Sequence, residues 1–344
     1  MGNSFNQKHT HIATLDGIRG VAALLVVMFH ADPFFGQLVS GGYLAVDMFF
    51  VLSGFVIEHA YGQKLRGGMN LWMFTKLRLI RFYPLYLLGL AAGILLELVL
   101  IQVGAKNSIS YERLIAQAAL AVLFIPAFFE TDAFPLNIPS WSLFIEIVVN
   151  IAYGATIARL SGRVLYGIAT LSLSILIGYL YFNNNAMPGP QNLQLPFALA
   201  RAIFSFTVGV VIYRHKRLFT IRPAWVLLSV LVLLSVPVSD SYRFFYDLTC
   251  IVVVFPLLVW AAADNDDQSF SKWMLILGGI SYGIYAIHYP LIWLVRGLAD
   301  KLNFPMALAG ILLVTGLVVV CYVLDKFFDQ PVRSWLKAKL LREN

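Results

Sequence analysis

Charged residues are scarce in this sequence. Only 12% of its 344 residues are Asp, Glu, Lys or Arg, whereas 60% are hydrophobic and the mean hydropathy is +0.78. Soluble domains carry about 25% charged residues, and no stretch of this chain is polar enough to form a soluble domain of its own. The composition therefore predicts a single domain over residues 1–344, an all-α, polytopic membrane helix bundle.

Cysteine is also rare. Cys250 and Cys321 both lie inside apolar runs, so we expect neither a disulfide framework nor a metal site. The net charge of +7 comes from basic residues dispersed in short clusters between apolar segments, not gathered on one face or tail. This pattern argues against nucleic acid as a partner and leaves membrane lipids as the expected surroundings.

Ten apolar segments are long enough to cross a membrane. They lie near residues 14–33, 41–60, 78–103, 138–158, 163–182, 196–213, 222–238, 243–263, 273–296 and 306–324. An eleventh, weaker candidate lies at 111–129 and contains Pro126. Because Asp16 and Arg19 adjoin the first apolar run and no small-residue cleavage site follows it, we predict an uncleaved helix there, not a signal peptide.

Positive charges give these spans an orientation. Basic loops follow the second, fourth and sixth spans, near residues 64–78, 159–163 and 214–222. The loops at 31–40 and 183–195 contain no Lys or Arg, so the positive-inside rule places them outside and the basic loops in the cytoplasm. Ten spans with both termini cytoplasmic satisfy this pattern. Segment 111–129 is then expected to be re-entrant or interfacial on the outer side.

Arg19 and His30 lie on one face of the first predicted helix. Eleven residues return to within about 20° of the same face, roughly 16 Å further along the axis, which places His30 near the middle of the bilayer. Counting in the same way places Asp47 in the outer third, Glu146 about midway and His288 in the outer half. Because ionisable groups are costly in lipid, these four side chains predict a shared pocket. The alternative for His30 is a structural histidine bonded to a neighbouring helix.

Arg78 and Arg81 lie one turn apart at the cytoplasmic start of the third span, in the same layer as Arg19. Guanidinium groups suit phosphate oxygens, so the three arginines predict a site for a phosphorylated cytosolic ligand. The alternative is that they only anchor the helix at the interface and set its orientation.

Five motifs follow one another along these spans: LDGIRGVAALLVVMFH, GGYLAVDMFFVLSGFVI, RLIRFYPLYLL, PSWSLFIEIVVNIAYG and ISYGIYAIHYPLI. Together they resemble the acyltransferase-3 family of integral membrane O-acyltransferases, over roughly Leu15 to Pro331. The matching residues are Arg19 with His30, Arg78 with Arg81, Trp141, Ser142 and Leu143 with Glu146, and Ser281, Tyr282 and Tyr285 with His288. Residues 332–344 are expected to form a cytoplasmic tail, and the residues from Lys326 to Asn344, with their alternating Lys and Arg, are typical of a cytoplasmic surface helix.

The resemblance implies transfer of an acyl group, most often acetyl, from cytosolic acyl-coenzyme A to a hydroxyl of a cell-envelope or exported glycan or glycolipid. Arg19, Arg78 and Arg81 would bind the coenzyme A phosphates. His30 would deprotonate the acceptor hydroxyl or, as an alternative, carry the acyl group itself. The protein is expected to be a multi-pass protein of the cytoplasmic, or inner, membrane.

Further motif residues are assigned by the same resemblance. Glu146 or Asp47 would orient the His30 ring, and His288 is grouped with them as catalytic. Trp141, Ser142, Tyr282 and Tyr285 are expected to contact substrate. Trp141 suits stacking on a sugar ring, although a membrane-interface aromatic belt explains it equally well. Ser142 is not expected to be a nucleophile, because the chain lacks the GxSxG elbow that activates such a serine.

Small residues carry two further expectations. Ser53 and Gly54 are expected to allow close helix packing. Gly278, Gly279 and Gly283 are expected to break their helix beside a cavity.

Two other functional classes stay open. A transporter or flippase of a glycan or lipid-linked substrate would also combine ten helices with buried charges. A haem-binding cytochrome could use His30 and His288 as axial ligands. Neither explains the paired arginines as well. Some members of the acyltransferase-3 family carry a fused hydrolase-like domain outside the membrane; here we expect the membrane unit to act alone or with a separate partner.

Overall fold

A computed structural model of the protein describes residues 12–183, 187–215, 219–263 and 271–341. Within these ranges the chain forms no β-strand, and one isolated bridge joins Asp132 to Gln191. The α-helices there are α1 (Ala13–His30), α2 (Asp32–Phe35), α3 (Ala45–Arg66), α4 (Leu71–Gln102), α5 (Tyr111–Val122), α6 (Ser140–Thr156), α7 (Gly162–Phe182), α8 (Leu195–Arg214), α9 (Pro223–Ser235), α10 (Asp240–Thr249), α11 (Phe255–Ala262), α12 (Ser271–Lys301), α13 (Met306–Leu324) and α14 (Gln330–Leu340). The predicted all-α, polytopic fold is confirmed.

Short 3₁₀ and π turns complete the helical segments. The 3₁₀ turns are Gly42–Leu44, Ile157–Arg159 and Asn192–Gln194, and the π turns are Cys250–Val254 and Asp325–Asp329. The second π turn joins α13 to α14, so the predicted tail continues the last span without a break and the helical segment runs over Met306–Leu340. Residues 342–344 of the predicted tail lie outside the described ranges.

Nine helical segments within the described ranges are long and apolar enough to cross a membrane, and they correspond to nine of the ten predicted spans. The remaining predicted span, 222–238, is shorter than expected. Its helix α9 has 13 residues, about 20 Å at 1.5 Å per residue, whereas a span needs about 20 residues. The helix ends where Val236 takes an extended conformation ahead of Pro237, because a residue before proline avoids the α region.

The eleventh candidate segment is a short helix followed by irregular chain. The side chain of Ser110 caps the start of α5 by accepting from Arg113 N at 3.3 Å, and the chain turns away after the helix at Phe124, which has φ 58°. Helix α5 has 12 residues, about 18 Å, which is too short to cross a bilayer. It packs on α4 through Leu114 and Ala121.

Loops predicted to lie on the same side of the membrane contact one another. The segment after α5 meets the segment before α8, where Ala133 N donates to Pro190 O at 2.9 Å and Asn192 N donates to Thr131 O at 2.9 Å. Gly41, directly after the first predicted outer loop, donates to Leu234 O at the end of α9 at 2.9 Å. These contacts agree with the predicted arrangement of the loops.

Glycines set the closest helix contacts. A Cβ on Gly54 would lie 2.0 Å from Phe206 O, so only glycine lets α3 approach α8 this closely, as predicted. The prediction of a broken helix at Gly278, Gly279 and Gly283 is wrong, because α12 runs unbroken over Ser271–Lys301. Gly278 instead packs against Asp16. A Cβ added to Gly278, as in alanine, would lie 2.3 Å from the Cβ of Asp16.

Candidate active site

The register between α12 and α13 fixes the level of His288 relative to α13. Gly283 on α12 faces Cys321 on α13, whose Sγ lies 3.3 Å from the position a Cβ would take. Because the two helices run in opposite directions, His288 is level with about Gly316. The exposed large apolar side chains of α13 and the turn after it extend from Leu308 to Phe327. His288 therefore lies level with the middle of this exposed apolar stretch.

His30 and His288 are brought together. His30 is the last residue of α1, and its ring centroid lies 5.4 Å from that of His288. The ring of Tyr289 meets the His30 ring edge-on, with 5.3 Å between the two centroids. His30 thus lies level with His288, beside the middle of the same exposed apolar stretch. Its depth in the membrane stays a prediction.

His288 is held in one orientation by its own helix. Its side chain is fully buried, and Nδ1 lies 2.8 Å from Tyr285 O and 3.1 Å from Ile284 O. Two carbonyl oxygens can only accept, so the proton belongs on Nδ1. The Nε2 atom keeps its lone pair and has no hydrogen-bond partner in the described part of the chain.

An outer cavity of about 340 Å³ opens beside His30. Its wall includes Trp141, Tyr43 and Tyr285, together with the Met187–Pro190 segment of a predicted outer loop. A cavity with one imidazole, several aromatic rings and charged groups suits a polar organic ligand. Trp141 thus lines the same cavity as His30.

Asp47 does not contact His30, which corrects its predicted role in orienting that ring. Asp47 and Arg201 are both almost fully buried, and Arg201 Nε donates to Asp47 Oδ1 at 2.9 Å while Nη2 reaches Oδ2. Arg201 also donates to Pro188 O at 2.9 Å and Tyr43 O at 3.0 Å. The Asp47–Arg201 pair therefore ties α3 to α8 and to the outer loop.

A second charged group in the outer cavity surrounds Tyr43. Its hydroxyl lies 2.8 Å from each oxygen of Asp247, and Arg243 Nη1 donates to it at 3.1 Å. One hydroxyl proton cannot satisfy a whole carboxylate, which has about four acceptor positions. The Asp247 carboxylate, in the wall of the cavity, thus has acceptor positions left for a further hydrogen-bond donor.

An inner cavity of about 160 Å³ contains the three predicted arginines, Arg19, Arg78 and Arg81. Each is close to one carboxylate: Arg19 Nη1 to Asp16 Oδ1 at 3.4 Å, Arg78 Nη2 to Glu146 Oε1 at 3.3 Å, and Arg81 Nη1 to Asp329 Oδ2 at 3.8 Å. The structure thus groups the predicted phosphate-binding residues around one space.

Glu146 belongs to this inner cavity and does not orient His30. Its Oε1 accepts from Ser53 Oγ at 2.7 Å and from Arg78 at 3.3 Å. No hydrogen bond joins it to either histidine within the described residues. Ser53, expected only to allow close packing, therefore also holds a charged group of the site.

Tyr285 and Val46 line both cavities. The hydroxyl of Tyr285 lies 2.6 Å from Ser142 Oγ, which also donates to Pro139 O at 3.1 Å. Neither hydroxyl is hydrogen-bonded to a histidine in the described part of the chain. That Ser142 is not a nucleophile stays a prediction. Tyr285 and Val46 therefore lie at the boundary between the inner and the outer cavity.

Tyr282 lies on the inner side. Its hydroxyl donates to Phe82 O, and the guanidinium carbon of Arg81 stands 5.6 Å from its ring centroid. Tyr282 therefore positions Arg81 through a cation–π contact instead of facing the outer cavity.

The sequence analysis did not identify three charged residues of the outer cavity, namely Arg201, Arg243 and Asp247. Each lies within or at the edge of an apolar segment, so the rule that singled out His30 and Asp47 also applies to them. Arg201 and Asp47 are 154 residues apart in sequence, and nothing in the local pattern identifies them as partners.

Comparison with known proteins identifies the family of this chain. A family model described as an acyltransferase domain, Acyl_transf_3, matches residues 12–326. The chain is 47% identical to "Protein 2 in picA locus" of Rhizobium radiobacter over 156 residues, which covers 42% of this chain and 82% of that protein. No solved structure matches the present chain.

A second relative matches over nearly the whole chain. O-acetyltransferase OatA of Staphylococcus aureus is 24% identical over 363 residues, covering 94% of this chain and 57% of that protein. The chain thus spans little more than half the length of this relative. The family match favours an enzyme over a transporter or a haem protein. The chain belongs to the acyltransferase-3 family and is a multi-pass membrane acyltransferase.

Proposed function

We propose that this chain moves an acetyl group from acetyl-coenzyme A, bound from the cytoplasm, to a hydroxyl of a cell-envelope glycan or glycolipid on the outer side of the membrane. One observation carries the proposal. The cavity that holds Arg19, Arg78 and Arg81 and the cavity that holds His30 meet at Tyr285 and Val46. A donor and an acceptor can thus approach the same point from opposite sides.

The inner cavity suits the donor. Arginine side chains bind phosphate oxygens with two parallel hydrogen bonds, and Arg78 and Arg81 follow each other by one turn of α4. From Arg19, the face of α1 leads to His30, about 16 Å further along the helix axis. An extended pantetheine arm lying on this face would bring the thioester toward His30 past Tyr285.

The outer cavity suits a polyhydroxylated acceptor. The aromatic side chains of Trp141 and Tyr43 offer faces for a sugar ring, and the Asp247 carboxylate can accept hydrogen bonds from hydroxyl groups. The name of the relative O-acetyltransferase OatA supports acetyl as the group and oxygen as the accepting atom. The acceptor would enter between the outer loops, which form the rim of this cavity.

The proposed chemistry is a direct transfer with general base catalysis. The ring of His30 takes the proton of the acceptor hydroxyl while the hydroxyl oxygen bonds to the thioester carbonyl carbon. The carbon–sulfur bond then breaks, the acetyl group stays on the acceptor oxygen as an ester, and the coenzyme A thiolate takes the proton from His30. The free Nε2 lone pair of His288 lies beside this ring and can accept an N–H from it while His30 is protonated.

Membrane vesicles of defined orientation test the proposed sidedness. Inside-out vesicles from cells that produce the protein should incorporate label into envelope glycan when radiolabelled acetyl-coenzyme A is added outside. Right-side-out vesicles should incorporate label only after they are made permeable, and vesicles with the His30→Ala chain should incorporate none. Equal labelling in intact vesicles of both orientations, or none in either, would contradict the proposal.

A further inference from the structure

The three arginines of the inner cavity offer little net positive charge to a ligand. Each lies close to one carboxylate, those of Asp16, Glu146 and Asp329. Coenzyme A carries a diphosphate and a 3′-phosphate, and a phosphate monoester alone has about −1.5 to −2 charges at pH 7. A site for this nucleotide therefore needs cations beyond the three that the sequence motifs identify.

The C-terminal helix brings a further cation to Arg81. Asp329 is fully buried, and its Oδ2 lies 3.8 Å from Arg81 Nη1 and 2.8 Å from Arg333 Nη2. Two guanidinium groups therefore contact Asp329, and a second carboxylate, that of Asp325, lies near Arg333. With Lys337 on the next turn of α14, three cations are set against two carboxylates, which leaves a net positive charge at this place. The side chain of Arg333 keeps 18% of its surface exposed and that of Arg81 keeps 31%, so both can still meet a ligand.

The packing of α14 against α4 extends this cluster. Asp329 faces Arg81 at one end of the contact, and at the other end Lys76 Nζ donates to Leu340 O at 3.0 Å. The two helices thus run antiparallel. Arg333 and Lys337, one turn apart on α14, lie along the stretch of α4 that carries Lys76, Arg78 and Arg81.

Lys337 has the features of a ligand-binding cation. Its side chain is exposed, and the charges of Arg333 and Arg81 act on it. No carboxylate pairs with it among the described residues. Three like charges held close together cost free energy in the empty protein, and an anion would relieve that cost.

We propose that Arg333 and Lys337 bind a phosphate monoester at the mouth of the inner cavity, and that this group is the 3′-phosphate of the acyl-coenzyme A donor. This inference rests on the proposed donor and assigns the C-terminal helix to the donor site. A phosphate on an anionic lipid headgroup has the same chemistry, so the experiment must distinguish the two sources.

Binding of coenzyme A and of 3′-dephospho-coenzyme A tests the assignment directly. Both ligands would be titrated against the full-length protein in nanodiscs of zwitterionic lipid and, separately, in nanodiscs with anionic lipid. Since hydrogen bonds to charged groups are the stronger class, we expect the unmodified protein in zwitterionic lipid to bind coenzyme A about tenfold or more tightly than the dephospho form.

Lys337→Ala is the main variant, because this exposed side chain has no carboxylate partner to leave unpaired among the described residues. It should lose most of the preference for coenzyme A and leave affinity for the dephospho form unchanged. Lys339→Ala is the matched control. Lys339 lies on the same helix with its ammonium 5.0 Å from the centroid of the Trp335 ring, and its removal should keep the full preference.

Arg333 is tested together with its partner. Arg333→Gln alone would weaken the pairing of the buried Asp329 and so risk misfolding. The double variant Arg333→Gln with Asp329→Asn removes one charge of each sign and should also lose the preference for the 3′-phosphate.

The outcomes separate this inference from the proposed function. If Arg78→Ala weakens both ligands while the Lys337 and double variants keep the preference of the unmodified protein, the role of α14 is wrong and the donor site stands. If the unmodified protein binds neither ligand, both proposals are wrong. If the variants alter affinity only in anionic nanodiscs, equally for both ligands, α14 binds lipid and the inference is overturned.

Discussion

The imidazole of His30 lies with its ring centroid 5.4 Å from that of His288, level with the middle of the exposed apolar stretch of α13. No carboxylate is hydrogen-bonded to either ring in the described part of the chain. The group that faces the proposed base is therefore a second, neutral imidazole whose proton is held on Nδ1 by two backbone carbonyls. This arrangement replaces the carboxylate partner that the sequence motifs led us to expect.

Replacing His288 should slow turnover without weakening donor binding. His288→Phe removes the acceptor atom beside His30, and we expect kcat to fall at least about tenfold while the donor KM stays near its original value. Steady-state rates with acetyl-coenzyme A would measure both. Tyr289→Phe is the control, because it keeps the ring next to His30 and removes only a hydroxyl. An unchanged kcat in His288→Phe would show that His288 has no part in turnover.

Glu146 and Arg78 should act on donor binding as a pair. Arg78→Ala should raise the KM for acetyl-coenzyme A, because a ground-state contact to phosphate is lost. Glu146→Gln should shift the same KM and leave the pH dependence of kcat unchanged, since Glu146 contacts Arg78 and Ser53 and is not hydrogen-bonded to His30 within the described residues. A Glu146→Gln variant with normal donor KM but an altered pH profile would instead restore the role of Glu146 beside His30.

The sequence predicted the parts of this site that follow from one helix at a time. Spacing alone predicts that Arg19 and His30 share one face of a helix and that Arg78 and Arg81 do so too. In the structure each pair lies on a single helix, α1 and α4. The partners of Asp47 and Glu146 could not be predicted, because each depends on which helices become neighbours. A carboxylate in a membrane span signals some partner, and only the packing of α3 on α8 decides that it is Arg201.

The same holds for the fold: features within one helix could be predicted from the sequence, and contacts between helices could not. Hydropathy and basic loops located the helices, but α9 is shorter than its apolar run and α12 is unbroken despite Gly278, Gly279 and Gly283. In α12 the contacts of neighbouring helices outweigh the low helix propensity of glycine. Gly278 provides room for α1, which no pattern within α12 reveals.

Asp47 and Arg201 should contribute to stability more than to chemistry. Asp47→Asn leaves a buried guanidinium without its counter-charge, which costs about 3–5 kcal/mol in comparable buried pairs. Thermal unfolding in detergent should show a clear loss of stability. Asp240→Asn is the control, since its ion pair with Arg243 is solvent-exposed at the carboxylate and its removal should change little. Equal unfolding temperatures for the two variants would contradict the structural role of the buried pair.

Asp247 should contribute to acceptor binding. Asp247→Asn keeps the size of the side chain and its contact with Tyr43 but removes the charge, so we expect a higher acceptor KM with an unchanged donor KM. Measuring initial rates at varied acceptor concentration tests this prediction. Tyr242→Phe, an exposed position on the same helix α10, serves as the control. The outer cavity would lose its proposed role if donor KM rose and acceptor KM did not.

The most direct test of the account follows acetyl transfer by the purified protein with and without His30. Protein in nanodiscs would be incubated with radiolabelled acetyl-coenzyme A and extracted envelope glycans, and donor binding would be measured in the same samples. We predict that the unmodified chain labels the glycan, whereas His30→Ala binds the donor with similar affinity and transfers no label. Labelled glycan from the His30→Ala protein at the normal rate would contradict the central role of this histidine.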